Sequence, residues 1–302
     1  MNPPARIART AHAARTPRTS HAAHAALAAY VAYAALALAM ITTTTTRARA
    51  DVIALGDGES LKYHVAWGIF SKAGEITINA KTEIIGGLPN TRVTTKLATA
   101  GVIRTLYTLE ATGDCIFDAL DGRLLAITTK STSGKKRTHA TALFNYATDT
   151  IRYDDFLNPA KNTTLPIPKS DAMDLITALV QTRAWHTMKP GDTRPITAIF
   201  EDNFYDLTVT ATSREKLKTA WGEVDTLILE PAPAPGSTPQ GMFKKGATVR
   251  VWVSQDARRL PVKFQLGLKY GTGTAHLVEH TPPATTTTTA TAPTPASPAA
   301  NK

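Results

Sequence analysis

The sequence predicts a mainly β fold: one strongly curved antiparallel sheet, or an open or closed β-barrel, with a single central helix packed against it. Three observations lead there. Apolar and polar residues alternate with a period of two through most of the chain's middle, as in strands with one buried face. The alternating segments are rich in Thr, Val and Ile and are separated by Gly, Asp, Asn and Ser where tight reversals need them. Only one segment, about 170–186, repeats its apolar residues at helical spacing.

The first element is a signal peptide over residues 1–50. Arg6, Arg9, Arg15 and Arg18 form a basic region without acids, Ala25 to Ile41 are apolar, and Ala48 and Ala50 fit a signal-peptidase site before Asp51. A retained anchor is the other reading, but the apolar run falls short of the roughly 18 residues of a spanning helix. No second apolar run follows, so no transmembrane span is expected after cleavage. The single cysteine, Cys115, lies far downstream and cannot carry a lipid at the end of the apolar run. The expected location is therefore the periplasm, as a soluble protein and not a lipoprotein.

Cleavage removes six arginines and no acid, so the formal net charge falls from +10 to +4. Lys135-Lys136-Arg137, Lys244-Lys245 and Arg258-Arg259 fall in expected turns or loops, with no aromatic residues interleaved. That pattern speaks against nucleic acid as a partner and for solvated turn charges. One cysteine makes no intrachain disulfide, so the core alone must hold the fold.

The domain expected at 51–280 begins with an opening strand pair, in which Ile76, Ile78, Ala80 and Ile84 alternate with polar neighbours. Gly86 to Asn90 turn the chain into a strand carrying Val93, Thr95 and Leu97. Strands follow at Cys115–Leu120, Leu124–Lys130, Thr138–Tyr146 and Ile151–Phe156, with turns at Asp121-Gly122, Ser133-Gly134 and near Asp149. Pro166 and Pro168 end the extended run. Ser170 or Asp171 then caps a helix whose face is Leu175, Ile176, Leu179 and Val180, and Pro190-Gly191 closes it. Further strands are expected at Pro195–Glu201, Phe204–Thr212 and Gly222–Leu229, the first two joined by Asp202-Asn203. A Pro-rich loop at Pro231–Pro239 precedes the last three, at Thr248–Ser254, Pro261–Leu268 and Thr274–Glu279. Residues 281–302, almost wholly Thr, Ala and Pro, lack the apolar side chains to offset their ordering entropy and read as a disordered tail.

Val251-Trp252-Val253-Ser254-Gln255-Asp256-Ala257-Arg258-Arg259-Leu260-Pro261-Val262-Lys263 resembles the closing signature of a bacterial exported family, the domain of unknown function 3108. Tyr63, Val65, Trp67-Gly68, Ala73-Gly74 and Ile76 look like its opening strand pair. Asp174 through Arg183 to Gly191 looks like its central helix, with a departure at Ala184-Trp185-His186. The resemblance implies an exported protein. The strand, Asp-containing turn and Pro-led strand are also similar to the fold logic of periplasmic lipoprotein carriers of the LolA/LolB type, an analogy of fold alone.

No catalytic motif emerges. His64, His139, His186, His276 and His280 are scattered, and Asp114, Asp118 and Asp121 lack the alternating spacing of a calcium loop. Gly134-Lys135-Lys136 has neither the glycine spacing nor the helix of a phosphate loop. Cys115 between apolar neighbours reads as a core residue. Asp154 and Asp155 point to opposite faces of a strand and cannot act on one bond. No metal or cofactor is expected.

The function expected is therefore non-enzymatic, in the periplasm or envelope. In one version the curved sheet holds a lipid or other apolar ligand, with Tyr63, Trp67, Trp185 and Trp252 lining it and Arg183 meeting an anionic head group. Each of these side chains has core packing as its plainer role. The alternative is a structural protein that contacts envelope proteins or peptidoglycan, and a hydrolase of unrecognised type is the weaker third.

Overall fold

The computed structural model describes residues 52–168, 172–200, 203–239, 242–269 and 271–284. The signal-peptide reading, the helix caps at Ser170 or Asp171, the reversal at Asp202 and nearly all of the tail lie outside them. The chain runs through β1 (Ser60–Trp67), β2 (Phe70–Ile85), β3 (Leu88–Thr99), helix α1 (Gly101–Leu106), β4 (Leu109–Asp118), β5 (Leu124–Ser133), β6 (Lys136–Asn145), β7 (Thr150–Asp155) and β8 (Thr163–Pro166). It continues through β9 (Ala172–Asp174), α2 (Leu175–Gln181), β10 (Thr193–Phe200), β11 (Asn203–Thr219), β12 (Gly222–Pro233), β13 (Thr248–Ser254), β14 (Pro261–Leu268) and β15 (Gly271–Thr281).

All of these strands form one 15-stranded sheet, in the order β8-β7-β6-β5-β4-β3-β2-β1-β15-β14-β13-β12-β11-β10-β9. The first and last strands of the domain, β1 and β15, pair at its centre. The two edge strands, β8 and β9, are consecutive in sequence. A flat sheet of this width would hold its edges roughly 65 Å apart. The six residue steps from Pro166 to Ala172 span at most about 22 Å. The sheet must therefore curl, and it does: Cys115 Sγ on β4 donates to Asp174 Oδ2 of β9 at 3.1 Å across the concave side. The curl gives a main apolar core that reaches from Leu61, Tyr63 and Phe117 through Ile151 and Val180 to Leu227, Val251 and Leu277, with a smaller second cluster of Ala198, Leu207, Phe243 and Val249.

The tight hairpins are as the turn residues predict. Gly86 and Gly87, with φ of 60° and 83°, are the whole β2–β3 turn, the conformation a two-residue hairpin needs at both positions. Leu88, Pro89 and Asn90, expected in the turn, already belong to β3.

Several boundaries differ from expectation, each for a local reason. The helix starts at Leu175, because Ala172–Asp174 pair in parallel with β10 as the only non-antiparallel neighbours among the described strands. Its cap is Asp174, whose Oδ1 accepts from Ile176 N and Thr177 N at 3.0 and 3.2 Å. After Gln181 the chain tightens into a 3-10 turn at Thr182–Ala184 rather than staying helical to 186. The helix buries Thr177, Ala178, Val180 and Gln181, while Leu175, Ile176 and Leu179 are only partly covered. β11 continues past Thr212 to Thr219 through a bulge between Ala211 and Ser213. β12 runs into the expected loop as far as Pro233, since β13 pairs only with Thr226 to Leu229 and leaves Pro231 and Pro233 no donor to supply on that side. Helix α1 has no buried residue and no apolar periodicity to announce it.

Candidate functional site

The segment with the most distinctive sequence, Ser254 to Pro261, closes the β13–β14 hairpin by an internal network. Ser254 Oγ donates to Asp256 Oδ1 at 2.7 Å and accepts from Leu260 N at 2.8 Å. Asp256 Oδ1 also accepts from Arg259 N, and its Oδ2 accepts from Arg258 Nε at 2.9 Å. Partial burial pushes the Asp256 carboxyl upward, but the hydrogen bonds from Ser254 and Arg258 outweigh it and hold the pKa below the usual carboxylate value. Arg259, at φ 51°, turns inward and donates from Nη2 to the carbonyl of Trp185 at 3.0 Å. The turn thus ties the sheet to the segment that follows α2.

Arg183 belongs to the same end of the sheet. Its Nη1 donates to Glu59 Oε1 at 2.8 Å and to Ala54 O at 2.9 Å, and Nη2 donates to Arg258 O at 3.2 Å. Glu59 is 2% exposed; His280 Nε2 lies 2.9 Å from the same Oε1, and Oε2 accepts from Gly56 N. Gln181 completes the arrangement by accepting from Ala54 N and donating to Val52 O. Four separate stretches, the lead into β1, α2 with its 3-10 turn, the β13–β14 turn and the end of β15, are locked by these bonds.

The other residues singled out in the sequence lie in different surroundings. Tyr63 is fully buried, packs against Phe264 with ring centroids 4.9 Å apart and planes tilted by 37°, and donates from its hydroxyl to Pro261 O at 3.0 Å. Burial pushes its phenol well above the usual range, against the pull of Arg183. Trp185 is buried in the core with Arg194 against its ring at 5.0 Å, and its Nε1 has no hydrogen-bond partner among the described residues. Trp252 points to the opposite face from Val251, donates from Nε1 to Glu215 Oε2 at 2.8 Å, and carries Lys263 Nζ 4.0 Å above its ring. Trp67 lies at the far end of β1, half-buried against Gly271 and Gly273. Arg183, Trp185 and Tyr63 are therefore near one another; Trp67 and Trp252 are apart from them and from each other. Glu59, His280 and Arg259, partners that sequence spacing gives no means to find, complete the group. Among the described residues, no three or more His, Cys, Asp or Glu side chains are grouped to hold a metal, and no helix is long and apolar enough to cross a membrane.

The sequence model of the family Protein of unknown function (DUF3108) matches residues 62–278. The chain belongs to this family. Among curated proteins none matches in sequence. In structure the chain is similar to the beta-barrel-like protein of the domain of unknown function DUF1849 from Brucella abortus, at 7% identity and a TM-score of 0.49, over 76% of this chain and 98% of that one. It is also similar to a Bacteroides fragilis protein with a YmcC-like fold, at 9% identity and a TM-score of 0.30, over 75% and 97% of the two chains. The match of this DUF3108 domain spans β1 to β15 and takes in the Ser254–Pro261 turn and Arg183.

The opposite end of the DUF3108 sheet has another character. In a meander alternate connections fall at the same end, and here their described residues are Gly68-Ile69, residues 100–108 with α1, Gly134-Lys135, residues 156–162, residues 234–239 and 242–247, and Lys269. Together these hold Arg104, Lys135, Lys161, Lys244, Lys245 and Lys269 and not one Asp or Glu. Lys72, Lys136 and Arg137 flank them, as do Glu110 and Asp155; Glu201-Asp202, between β10 and β11, lie outside the described residues. The same connections expose Ile69 (93%), Leu106 (73%), Val102, Tyr107, Phe156 and Leu157. Several of these rim connections are joined to their neighbours: Gly134 N donates to Thr108 O at 2.8 Å, Tyr107 bonds to Ser133, Ala100 N donates to Ala73 O, and Trp67 rests on Gly271. At the other end apolar tips such as Ile84, Leu88 and Leu120 are exposed too, but among acids that include Asp57, Asp118 and Asp121.

Proposed function

We propose that this chain is an exported, non-enzymatic envelope protein that acts by contact through its basic, apolar rim rather than by carrying a ligand within the sheet. The observation that carries this reading is the engagement of Arg183. The cation expected to meet an anionic ligand is bound to Glu59, Ala54 and Arg258. Tyr63 and Trp252 are likewise buried and hydrogen-bonded within the fold. The exposed apolar side chains that coincide with an excess of one charge are those of the rim, and that coincidence, rather than their exposure alone, supports a contact surface there.

Two measurements test it. Native mass spectrometry with solvent extraction, on protein purified from a bacterial envelope fraction, is expected to give the bare mass; a stoichiometric hydrophobic adduct would overturn the reading in favour of a carrier. A photo-reactive group placed at Ile69 or Leu106 is expected to capture envelope material, and one at Leu120, on the opposite end, is not. Equal capture from all three positions, or none, would also overturn it.

A further inference from the structure

We infer that the rim docks on an anionic lipid surface, with Ile69, Val102, Leu106, Tyr107, Phe156 and Leu157 entering the interfacial layer and Lys135, Lys136, Arg137, Lys244 and Lys245 facing lipid phosphates. This deepens the contact reading above and rests on it.

Three features of the rim fit a bilayer better than a protein. The first is charge. The rim connections carry six basic residues, flanked by Lys72, Lys136 and Arg137, against Glu201 and Asp202 in the remaining connection and Glu110 and Asp155 beside them. The opposite end intersperses its acids with bases, as in Asp121 with Arg123 and Asp256 with Arg258. Both ends expose aliphatic tips, so it is the excess of basic over acidic residues that separates them. Each basic residue close to an anionic membrane adds to binding, and the sum matters because the effect decays within a Debye length of the surface.

The second feature is distribution. The apolar side chains are not one flat patch; they stand on successive connections, Ile69 between β1 and β2, Val102 and Leu106 on α1, Phe156 and Leu157 after β7. Separate tips of this kind can enter a soft interface without a partner of matching shape. The third is α1 itself. It buries none of its residues, and its Val102 and Leu106, four apart, share a face, while Arg104 turns away and pairs with Glu110. An apolar helical face with aromatic and basic neighbours, here Tyr107 and Lys135, is the composition of an interfacial segment.

The test is flotation of the purified protein with phosphatidylcholine vesicles, with and without phosphatidylglycerol. The protein is expected to float with the anionic vesicles only and to be released by added salt. The triple variant Lys135→Ala, Lys136→Ala, Arg137→Ala should bind about a hundredfold more weakly. Ile69→Ser with Leu106→Ser should abolish flotation; all these side chains are exposed, so thermal unfolding by circular dichroism should be unchanged. An environment-sensitive label at Ile69→Cys should shift to the blue on anionic vesicles, since Cys115 is buried. Absence of flotation with anionic vesicles, equal flotation with both compositions, or binding indifferent to the rim variants would overturn the inference. If it fails while photo-capture from Ile69 and Leu106 yields an envelope protein, the contact reading stands without lipid; if that capture fails as well, both fall.

Discussion

Glu59 and Arg183, 124 residues apart in the chain, meet at 2.8 Å with Glu59 almost wholly out of solvent and Arg183 13% exposed. A buried carboxylate that has lost its cation keeps the desolvation cost without the attraction that offset it. The pair therefore matters to the fold mainly through what happens when one half of it is removed.

Glu59→Ala is expected to cost about 3–5 kcal/mol, because it strands Arg183 and removes the oxygen beside His280. Urea unfolding measures this. The double variant Glu59→Leu, Arg183→Met should lose less than Glu59→Ala does alone, since no buried charge is left unpaired. A loss below about 1 kcal/mol for the single variant would mean that the pair acts as an ordinary surface ion pair.

The depressed pKa of Asp256 sets a direction for acid unfolding. A carboxyl with a lower pKa folded than unfolded adds stability that is complete above the unfolded value, 3.8, and is lost as pH falls through the folded value. Stability should therefore decline below pH 3.8 in part through this group, by an amount reduced because the side chain is 35% exposed. Asp256→Asn should be less stable at neutral pH by about 1 kcal/mol, from the lost Arg258 bonds. Its denaturant midpoint should also change less than the parent's over that acid range.

Asp174 links the cap of α2 to the Cys115 thiol. Burial pushes that thiol well above its ordinary pKa, and the Asp174 charge pushes it further. The folded protein should accordingly leave Cys115 unreactive toward a thiol reagent. Asp174→Ala should lower stability by about 1–2 kcal/mol through the lost cap and speed the reaction several-fold; labelling kinetics at matched pH would show it. Unchanged labelling in a destabilised variant would remove Asp174 as a determinant of the thiol's reactivity.

Gly74 faces the β3 backbone so closely that a Cβ there would lie 2.7 Å from Ala98 O. Backbone on both sides cannot yield cheaply, so Gly74→Ala should destabilise by about 1–3 kcal/mol. Gly113, with open space around its Cβ position, is the control, and there the change should be nearly neutral. Thermal unfolding of the two variants side by side decides it.

The β class, the order of most strands and the hairpin role of Ser254 to Pro261 were legible because each rests on local signals: period-two alternation, Gly or Asp at reversals, and a short polar turn that satisfies itself. The helix was legible in existence but not in extent, since Ala172–Asp174 are drawn into parallel pairing by β10, a partner more than twenty residues away. α1 gave no signal because a helix that buries nothing needs no periodic face. The partners of Arg183 were out of reach for a different reason. Lone cations at helix ends look alike in sequence, whether they face a ligand or, as here, a glutamate and two carbonyls brought from distant stretches. The charge of the rim was present in the sequence all along, but Lys135-Lys136-Arg137 and Lys244-Lys245 gain a common location only when alternate connections are assigned to one end.

The pairing of β1 with β15 also bears on the order in which the molecule is completed. Every other strand from β2 to β8 can zip onto its predecessor as it is made, but β1 keeps one side open until the last eleven residues of the sheet arrive. Contacts across that much chain close slowly, and an open strand edge is a template for pairing with a neighbour. A polypeptide delivered amino end first thus carries its most adhesive surface from the beginning of its emergence to the end, and loss of only its final strand would leave that edge bare for good.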